Sequence, residues 1–209
     1  MGAGGIRQKR SRPCRTRPSP FSPGARARAW EESTRAWPCL AEKPLVEWAL
    51  AALDREDHAG VMIVANRNLA HYRRHATTIS DAVCGHAGPL AGISAAMAAC
   101  PTRWMATVPV DCPTPPTGWI SRLREAVAVA GGDSAVAIVG GQRQPLFALY
   151  DTSLAQSAAA QLAGDAGVAG WQIQIGTLQV DLTDLPGDWS NLNTALDFRL
   201  AEERLRAIE

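Results

Sequence analysis

From Glu42 onward, short apolar runs alternate with segments of helical periodicity, and this alternation limits the fold more than any other feature of the chain. Residues 44–53 have proline in the first turn and apolar residues at helical spacing, and residues 60–65 form the apolar run of a buried parallel strand. Strands that alternate with helices build a largely parallel sheet with helices on both faces. The pattern therefore predicts a single three-layer α/β domain over residues 42–209.

The remaining segments continue the alternation. Helices are predicted over residues 68–74, 88–100, 119–130, 153–162 and 196–208. Strands are predicted over residues 76–80, 104–110, 134–139 and 145–150, with two short strands around Gly176 in residues 171–182. Because ligands of such sheets bind at the carboxyl ends of the strands, we expect the functional residues to follow Ala65, Ser80 and Val110.

Residues 1–41 do not share this pattern. The first 40 residues hold nine basic side chains and two acidic ones, with Pro, Ser and Gly between them and no period. Such a composition is typical of a disordered segment. As written, the chain is therefore predicted to have an aberrant N-terminal segment followed by a domain without its first strand.

Composition excludes several classes of partner and site. The chain has 21 basic and 20 acidic residues, a near-neutral balance that argues against a nucleic-acid partner. No apolar run approaches the roughly 20 residues of a membrane span. The five cysteines are scattered and indicate neither a zinc site nor a disulfide framework, but a reducing, cytoplasmic location. The histidines also show no metal-binding spacing and are interpreted as surface or loop residues: His58, His71, His75 and His86.

Asp111 is the most informative single residue. It follows the predicted strand at 104–110 and precedes Cys112, which places its carboxylate at the carboxyl end of a strand. Enzymes that transfer a nucleotidyl group use Mg²⁺ to neutralise phosphate charge, and this ion prefers carboxylate oxygens together with several waters. This placement makes Asp111 a candidate catalytic residue and magnesium ligand. On local sequence alone, a helix-capping or turn aspartate is the alternative.

Candidate nucleotide-binding residues lie near the predicted helix at 88–100. A helix N-terminus offers free N–H groups and partial positive charge, which suit an anion or a base edge, although an ordinary helix start is the alternative. Asp81, after a predicted strand, is placed to bind a guanine or ribose edge, and Asn66 to contact ribose, with solvated loop positions as their alternatives. The residues at the helix start are Gly88, Pro89, Leu90 and Gly92.

Asn191 and Asn193 precede the last predicted helix. An N-cap at Asn193 or Thr194 accounts for this segment locally, because Asn and Thr are preferred at helix starts.

Together, six motifs resemble those of the molybdenum cofactor guanylyltransferases, in that family's order and at about its spacing over residues 42–209. The resemblance implies a Rossmann-like nucleotidyltransferase fold with a mostly parallel sheet. The motifs are EKPL at 42–45, VANR at 64–67, Asp81 followed by GPLAG at 88–92, VPVDCP at 108–113, QPLFAL at 144–149 and NLNT at 191–194.

The resemblance also implies an activity, which is transfer of GMP from GTP to the molybdopterin cofactor with release of pyrophosphate. Asp111 would hold Mg²⁺, and Asn191 and Asn193 would assist the metal or the pterin phosphate. Asp81, Asn66 and residues 88–92 would bind the guanosine. Other cofactor-biosynthesis proteins and molybdoenzymes are implied as partners. A cytidylyltransferase or another small-molecule nucleotidyltransferase, and an inactive remnant that only binds partners, stay open as alternatives.

The chain departs from the family most strongly at its start. The family opens with a strand and a loop reading Leu-Ala-Gly-Gly, then Arg-Met-Gly-Gly, then Asp-Lys, whose glycines cradle the triphosphate and whose lysine neutralises it. None of this occurs in frame here. Gln144 stands where the family has histidine, and residues 164–167 stand where it has an arginine-rich loop.

The genetic code offers an explanation for the missing loop. If each codon is formed from the third base of one residue and the first two bases of the next, starting at Pro20, residues 20–38 are compatible with LAGGxRxRMGGVDKGLA. The frame returns near Ala41 or Glu42, just before the EKPL motif. We therefore predict two compensating frameshifts, or a wrong start followed by one, and weak or absent transfer by the chain as written.

Overall fold

A computed structural model describes residues 39–81, 88–164 and 167–206 of the chain. The predicted disorder of residues 1–41 falls almost wholly outside these ranges. The helices are α1 (Leu45–Leu53), α2 (Leu69–Tyr72), α3 (Gly88–Ala99), α4 (Trp119–Ala130), α5 (Ala155–Gln161), α6 (Val168–Gln174) and α7 (Ala195–Arg206), with a 3₁₀ turn at Thr152–Leu154. The strands are β1 (Cys39–Leu40), β2 (Lys43–Pro44), β3 (Met62–Val64), β4 (Thr77–Ile79), β5 (Trp104–Thr107), β6 (Ser134–Val139), β7 (Gln142–Asp151) and β8 (Leu178–Asp181).

The described strands form one large sheet and two small ones. The large sheet has the order β5-β7-β6-β8, in which β7 runs antiparallel to both neighbours and β6 runs parallel to β8. It follows that β5, β6 and β8 share one direction. Strands β3 and β4 form a parallel pair, whereas β1 and β2 form a short antiparallel hairpin. Alternating strands and helices with these parallel pairs confirm the predicted α/β class.

Helices cover both faces of the large sheet. Successive side chains of a strand point to opposite faces, so each strand contributes to both packed layers. Val136, Ala148 and Tyr150 pack with residues of α3, α5 and α6 on one face. Ala135 and Leu149 pack with residues of α4 on the other. The domain therefore has the three layers that the sequence predicted. In the described part of the chain, no helix has the length and apolar character needed to cross a bilayer.

The prediction of two strands within residues 171–182 is wrong, since the first half of that segment is helix α6. Strand alternation would place Trp171, Ile173 and Ile175 on one buried face, yet Ile173 is 68% exposed. The buried residues are instead Val168, Trp171 and Gln172, which share one side of a helix. Packing of Trp171 into the core thus outweighs the local alternation, and only β8 forms a strand.

Strand β5 ends earlier than predicted. It pairs with β7 through Thr107, and the chain then turns, with the N–H of Cys112 donating to the carbonyl of Pro109 at 3.3 Å. Pro109 has no N–H to donate, so it cannot extend the ladder. Asp111 consequently lies in a turn four residues beyond the strand rather than directly at its end.

Strand β7 is longer than predicted and carries a large bulge. Val136 of β6 pairs with Ala148, but its neighbour Ala137 pairs with Gln144. Three residues of β7 therefore fall between two successive pairs of the ladder, and the first of them is Pro145, which cannot donate a ladder hydrogen bond. We refer to Pro145, Leu146 and Phe147 as the β7 bulge.

The small parallel sheet lies against α3. A Cβ on Gly92 would lie 2.9 Å from Cγ1 of Val64, so a larger residue at this position would require the Val64 side chain to shift. Among the described residues, β3 pairs only with β4 and β5 pairs only with β7, which leaves one edge of each without a partner. Val64 of β3 is 39% exposed, although side chains in parallel strands are usually buried.

Candidate active site

Asn66 and Asp81 lie side by side, because the parallel strands β3 and β4 that precede them end together. Nδ2 of Asn66 donates to Oδ1 of Asp81 at 2.9 Å, and the N–H of Asp81 donates to Oδ1 of Asn66 at 3.2 Å. The pair lies at the surface, with Asn66 exposed and Asp81 half-buried. A polar ligand edge can therefore reach this pair, and the contacts with ribose or guanine stay a prediction for both residues.

Helix α3 exposes only part of the predicted nucleotide-binding segment. Gly88 and Pro89 are exposed, and Gly88 has a φ of +70°, a conformation that favours glycine. Leu90, by contrast, is only 2% exposed and belongs to the core, and Gly92 faces Val64. The structure thus gives Leu90 and Gly92 packing roles, while their part in nucleotide binding stays a prediction.

The turn that carries Asp111 is fastened to the loop before α7. The N–H of Leu192 donates to the carbonyl of Asp111 at 2.8 Å, and Sγ of Cys112 donates to the carbonyl of Asp188 at 3.3 Å. Leu192 lies between Asn191 and Asn193, so the first of these bonds brings the predicted magnesium ligand to the two predicted assisting residues. We call residues 183–194 the C-terminal loop.

A close backbone approach adds a third point of attachment. A Cβ on Gly187 would lie 2.8 Å from Cγ and 2.9 Å from Cα of Pro116, and Gly187 has a φ of +150°. Phe147 of the β7 bulge also contacts Trp189 of this loop, with ring centroids 4.9 Å apart in an edge-to-face arrangement. The C-terminal loop is therefore held against both the Asp111 turn and the β7 bulge.

The C-terminal loop ends in a capped helix. Oδ2 of Asp197 accepts from the N–H groups of Asn193 at 2.9 Å and Thr194 at 2.7 Å, while the N–H of Asp197 donates to Oγ1 of Thr194 at 3.2 Å. This reciprocal pattern makes Thr194 the cap of α7, as one of the two local interpretations predicted. Asn191 and Asn193 remain exposed, so their amides are accessible to a ligand.

Burial raises the pKa values of two side chains in the Asp111 turn. Asp111 is half-buried, and the loss of hydration raises the pKa of its carboxyl above the usual value. Cys112 is fully buried, and burial together with the charges of Asp188 and Asp111 raises the pKa of its thiol to about 12. The thiol therefore stays protonated at neutral pH and serves as an anchor rather than a nucleophile.

The residues near Asp111 suit a loosely held divalent cation. Within the described ranges, no three His, Cys, Asp or Glu side chains come together as a metal-binding group. One carboxylate matches the way proteins hold Mg²⁺, which keeps several waters and takes further oxygens from substrate phosphates. Asp111 is such a carboxylate, and the exposed amide oxygens of Asn191 and Asn193 are further neutral oxygen donors.

A cavity of about 370 Å³ joins several of these elements. Pro89 of α3, Pro109 of the Asp111 turn and Asn191 of the C-terminal loop all line it, together with Gln144 and the β7 bulge. Neither Asn66, Asp81 nor Asp111 is among the described residues that form its wall. A second cavity, of about 550 Å³, lies along the outer side of α4 and is lined by no predicted site residue.

Gln172 fixes the wall of the 370 Å³ cavity and was missed by the sequence analysis. It is fully buried, and its Nε2 donates to the carbonyl of Pro145 at 2.9 Å and to the hydroxyl of Tyr150 at 2.6 Å. Its Oε1 accepts from Nη1 of Arg143 at 3.3 Å. One amide therefore ties α6 to β7 on both sides of the bulge. Only the helical spacing of Gln172 with Trp171 and Val168 signals this position in the sequence.

We expect Gln172→Glu to destabilise the protein by about 1–3 kcal/mol, because a buried carbonyl loses its donor. The carboxylate can still accept from Arg143, but it cannot donate to the carbonyl of Pro145. Gln172→Met should cost more, because it removes the donor and also the oxygen that could accept from Arg143 and from the hydroxyl of Tyr150. Urea unfolding curves of the three proteins test this order, and a Gln172→Glu variant as stable as the parent would contradict it.

Comparisons with known proteins identify the family to which the chain belongs. The family model of the MobA-like NTP transferase domain matches residues 26–177. A molybdenum cofactor guanylyltransferase of Cupriavidus necator is 37% identical over 152 residues, covering 69% of this chain and 76% of that protein. The corresponding protein of Cupriavidus metallidurans is 33% identical over 174 residues, covering 78% and 83%.

Two solved structures share the fold. Molybdopterin-guanine dinucleotide biosynthesis protein A from Archaeoglobus fulgidus superposes with a TM-score of 0.64 at 20% identity, covering 81% of this chain and 89% of that one. The 2-C-methyl-D-erythritol 4-phosphate cytidylyltransferase of Thermus thermophilus gives a TM-score of 0.56 at 18% identity, covering 80% and 92%.

Proposed function

The chain belongs to the MobA-like NTP transferase family, as a nucleotidyltransferase of molybdenum cofactor biosynthesis, and from this premise we propose that it transfers GMP from GTP to the molybdopterin cofactor. In this reaction an oxygen of the pterin's terminal phosphate attacks the α-phosphorus of GTP. A new phosphorus–oxygen bond forms as the bond to pyrophosphate breaks, and pyrophosphate leaves. Positioning and neutralisation of charge supply most of the catalysis in such transfers.

The hydrogen bond from Leu192 to Asp111 carries this proposal. It joins the turn with the half-buried carboxylate to the loop with two exposed amides, although the two segments are far apart in sequence. Asp111 would hold Mg²⁺, which when bound neutralises charge on the phosphates of GTP. Asn191 and Asn193 would orient the metal's water shell or the terminal phosphate of the pterin.

The guanosine side of the site rests on the β3–β4 edge. The carboxylate of Asp81, oriented by Asn66, would accept hydrogen bonds from a guanine or ribose edge. Gly88 and Pro89 lie at the exposed start of α3, where free N–H groups and the helix dipole favour an anion. Each of these assignments follows the family resemblance and is supported by the accessibility of the residues.

The proposed function also involves the frameshift predicted near the N-terminus. The family match begins at residue 26, within the segment whose other frame is compatible with a phosphate loop. The unpartnered edges of β3 and β5 among the described residues, and the exposure of Val64, are what a domain without one strand would show. We propose that residues 42–209 are the in-frame part of the domain and that the chain as written transfers GMP weakly or not at all.

One experiment compares the chain as written with a frame-restored protein that carries the LAGG and RMGG loop. We expect Mg²⁺-dependent release of pyrophosphate from GTP, with pterin present, to be at least about a hundredfold faster in the restored protein, because the loop would stabilise phosphate charge. Robust GMP transfer by the chain as written would refute this prediction. Resequencing the locus distinguishes a sequencing error from a genuine change of frame.

Two alternatives remain, each tied to an observation. A cytidylyltransferase has the same fold, as the Thermus thermophilus enzyme illustrates, and faster turnover of CTP than GTP by the restored protein would favour it. An inactive remnant that binds partners is favoured by the absence of a phosphate loop in frame. Inactivity of the restored protein, with pterin binding intact, would support the remnant.

The proposed location is the cytoplasm, with cofactor-biosynthesis proteins and molybdoenzymes as partners. Cys39, Cys100 and Cys112 are free thiols in the described part of the chain, which suits a reducing compartment.

A further inference from the structure

The connector between β3 and β4 forms helical turns that bring two imidazole rings together. Helix α2 begins after Asn68, and its turns continue beyond Tyr72 through hydrogen bonds from Arg74 to His71 at 3.0 Å and from His75 to Tyr72 at 2.9 Å. Residues four apart on such helical turns lie on the same side. His71 and His75 are therefore neighbours, although the sequence analysis found no metal-binding spacing among the histidines.

The two rings are close and partly enclosed. Nε2 of His71 lies 3.3 Å from Nε2 of His75, and the ring centroids are 5.0 Å apart. Both side chains are half-buried, and the ring of Tyr72 stands edge-on to that of His71 with centroids 6.3 Å apart. Partial burial limits the rotamers of both imidazoles, so their nitrogens are held near this separation.

This separation matches the spacing of two ligands on a tetrahedral metal ion. Zinc–nitrogen bonds are about 2.0–2.1 Å, so two nitrogens at a tetrahedral angle lie about 3.3–3.4 Å apart. Two nitrogens at a right angle, as in square-planar or octahedral sites, would lie only about 2.9 Å apart at the same bond length. We propose that Nε2 of His71 and Nε2 of His75 form a tetrahedral site for Zn²⁺ or a similar transition-metal dication, separate from Asp111.

A shared proton is the competing explanation for the contact. In the structure one ring nitrogen donates to the other at 3.3 Å, so a metal that binds both nitrogens must displace the shared proton. No third protein ligand joins them within the described ranges, so two solvent molecules complete the coordination. The intervening Arg73 and Arg74 are exposed, where salt screens their charges.

The site lies between the two strands that end at the proposed nucleotide-binding pair. The connector starts shortly after Asn66, and β4 leads to Asp81. A metal that links His71 to His75 would brace this connector without touching either residue. The inference does not depend on catalysis, so it can be tested on the chain as it exists.

The test uses Zn²⁺ alone, titrated into the full chain against a chromophoric chelator, together with heteronuclear NMR of the histidine rings. We expect both Nε2 resonances, of His71 and His75, to shift with one bound equivalent. Removing either ligand, in His71→Ala or His75→Ala, should weaken binding at least about tenfold. Matched controls are His58→Ala, which removes an exposed imidazole, and Cys39→Ser, which removes an exposed thiol.

Cobalt provides a second readout that does not depend on any variant folding. Co²⁺ bound to the unsubstituted chain should show the intense visible absorption of a tetrahedral complex, whereas an octahedral ion absorbs weakly. Zn²⁺ binding that shifts neither ring would overturn the proposal. So would equal affinity in the parent and both alanine variants, or an octahedral cobalt spectrum.

Discussion

Asp111→Asn in the frame-restored protein should reduce GMP transfer by at least about a thousandfold, because the carboxylate that would hold Mg²⁺ becomes a neutral amide. The fold should survive, since Asp111 contacts Leu192 through its backbone carbonyl, which the substitution retains. The substitution also removes the free-energy cost of keeping the partly buried carboxylate of Asp111 ionised. Pyrophosphate release at saturating GTP and Mg²⁺ measures the effect, and unfolding curves check stability.

Asp184→Asn is the matched control for this substitution. Asp184 lies in the C-terminal loop, but its carboxylate is exposed and pairs with Arg122 at 2.9 Å on the protein surface. Exposed ion pairs contribute little to stability, so turnover and stability should both stay near the parent values. If Asp111→Asn kept the activity of the Asp184→Asn control, Asp111 would lose its proposed role.

Gly187→Ala should lower the free energy of unfolding by about 3–5 kcal/mol, because it combines a backbone clash with a strained φ. The new Cβ would lie 2.8–2.9 Å from atoms of Pro116, including its Cα, and a backbone atom cannot move aside as the end of a flexible side chain can. Relief requires the C-terminal loop to separate from the segment that follows Asp111. Urea or thermal unfolding measures the loss.

Gly60→Ala provides the comparison for Gly187→Ala. A Cβ on Gly60 meets no atom within 4 Å, and its backbone has no positive φ. Replacing such a glycine restricts the unfolded chain, so the variant should be unchanged or more stable by up to about 1 kcal/mol. Similar unfolding midpoints for the two variants would show that the Gly187–Pro116 approach does not stabilise the fold.

Local pattern predicted much of this fold, because burial imposes a period on each element. The α/β class follows from apolar runs such as Met62–Val64 alternating with helices such as Trp119–Ala130. The meeting of Asn66 and Asp81 follows from parallel strands whose carboxyl ends coincide. The link between Asp111 and the loop at Asn191 could be expected from the ordered motifs of the family, but not from either segment alone.

Features set by distant contacts could not be predicted. Helix α6 forms because Trp171 packs into the core against Tyr150, which overrides a strand-like alternation. The β7 bulge depends on a register between β6 and β7 that no short window contains. The buried role of Gln172 could not be predicted, because its hydrogen-bond partners Pro145 and Tyr150 are distant in sequence.

The attachment of the C-terminal loop to the Asp111 turn has a consequence for the order of folding. Cys112 and Asp188 are 76 residues apart in sequence, and closing so long a loop costs entropy before any contact repays it. On a ribosome, the strands β5, β6 and β7 emerge and can pair before residues 183–194 have been synthesised. These three strands can therefore pair first, and the proposed active site is completed only after residues 183–194 have been synthesised.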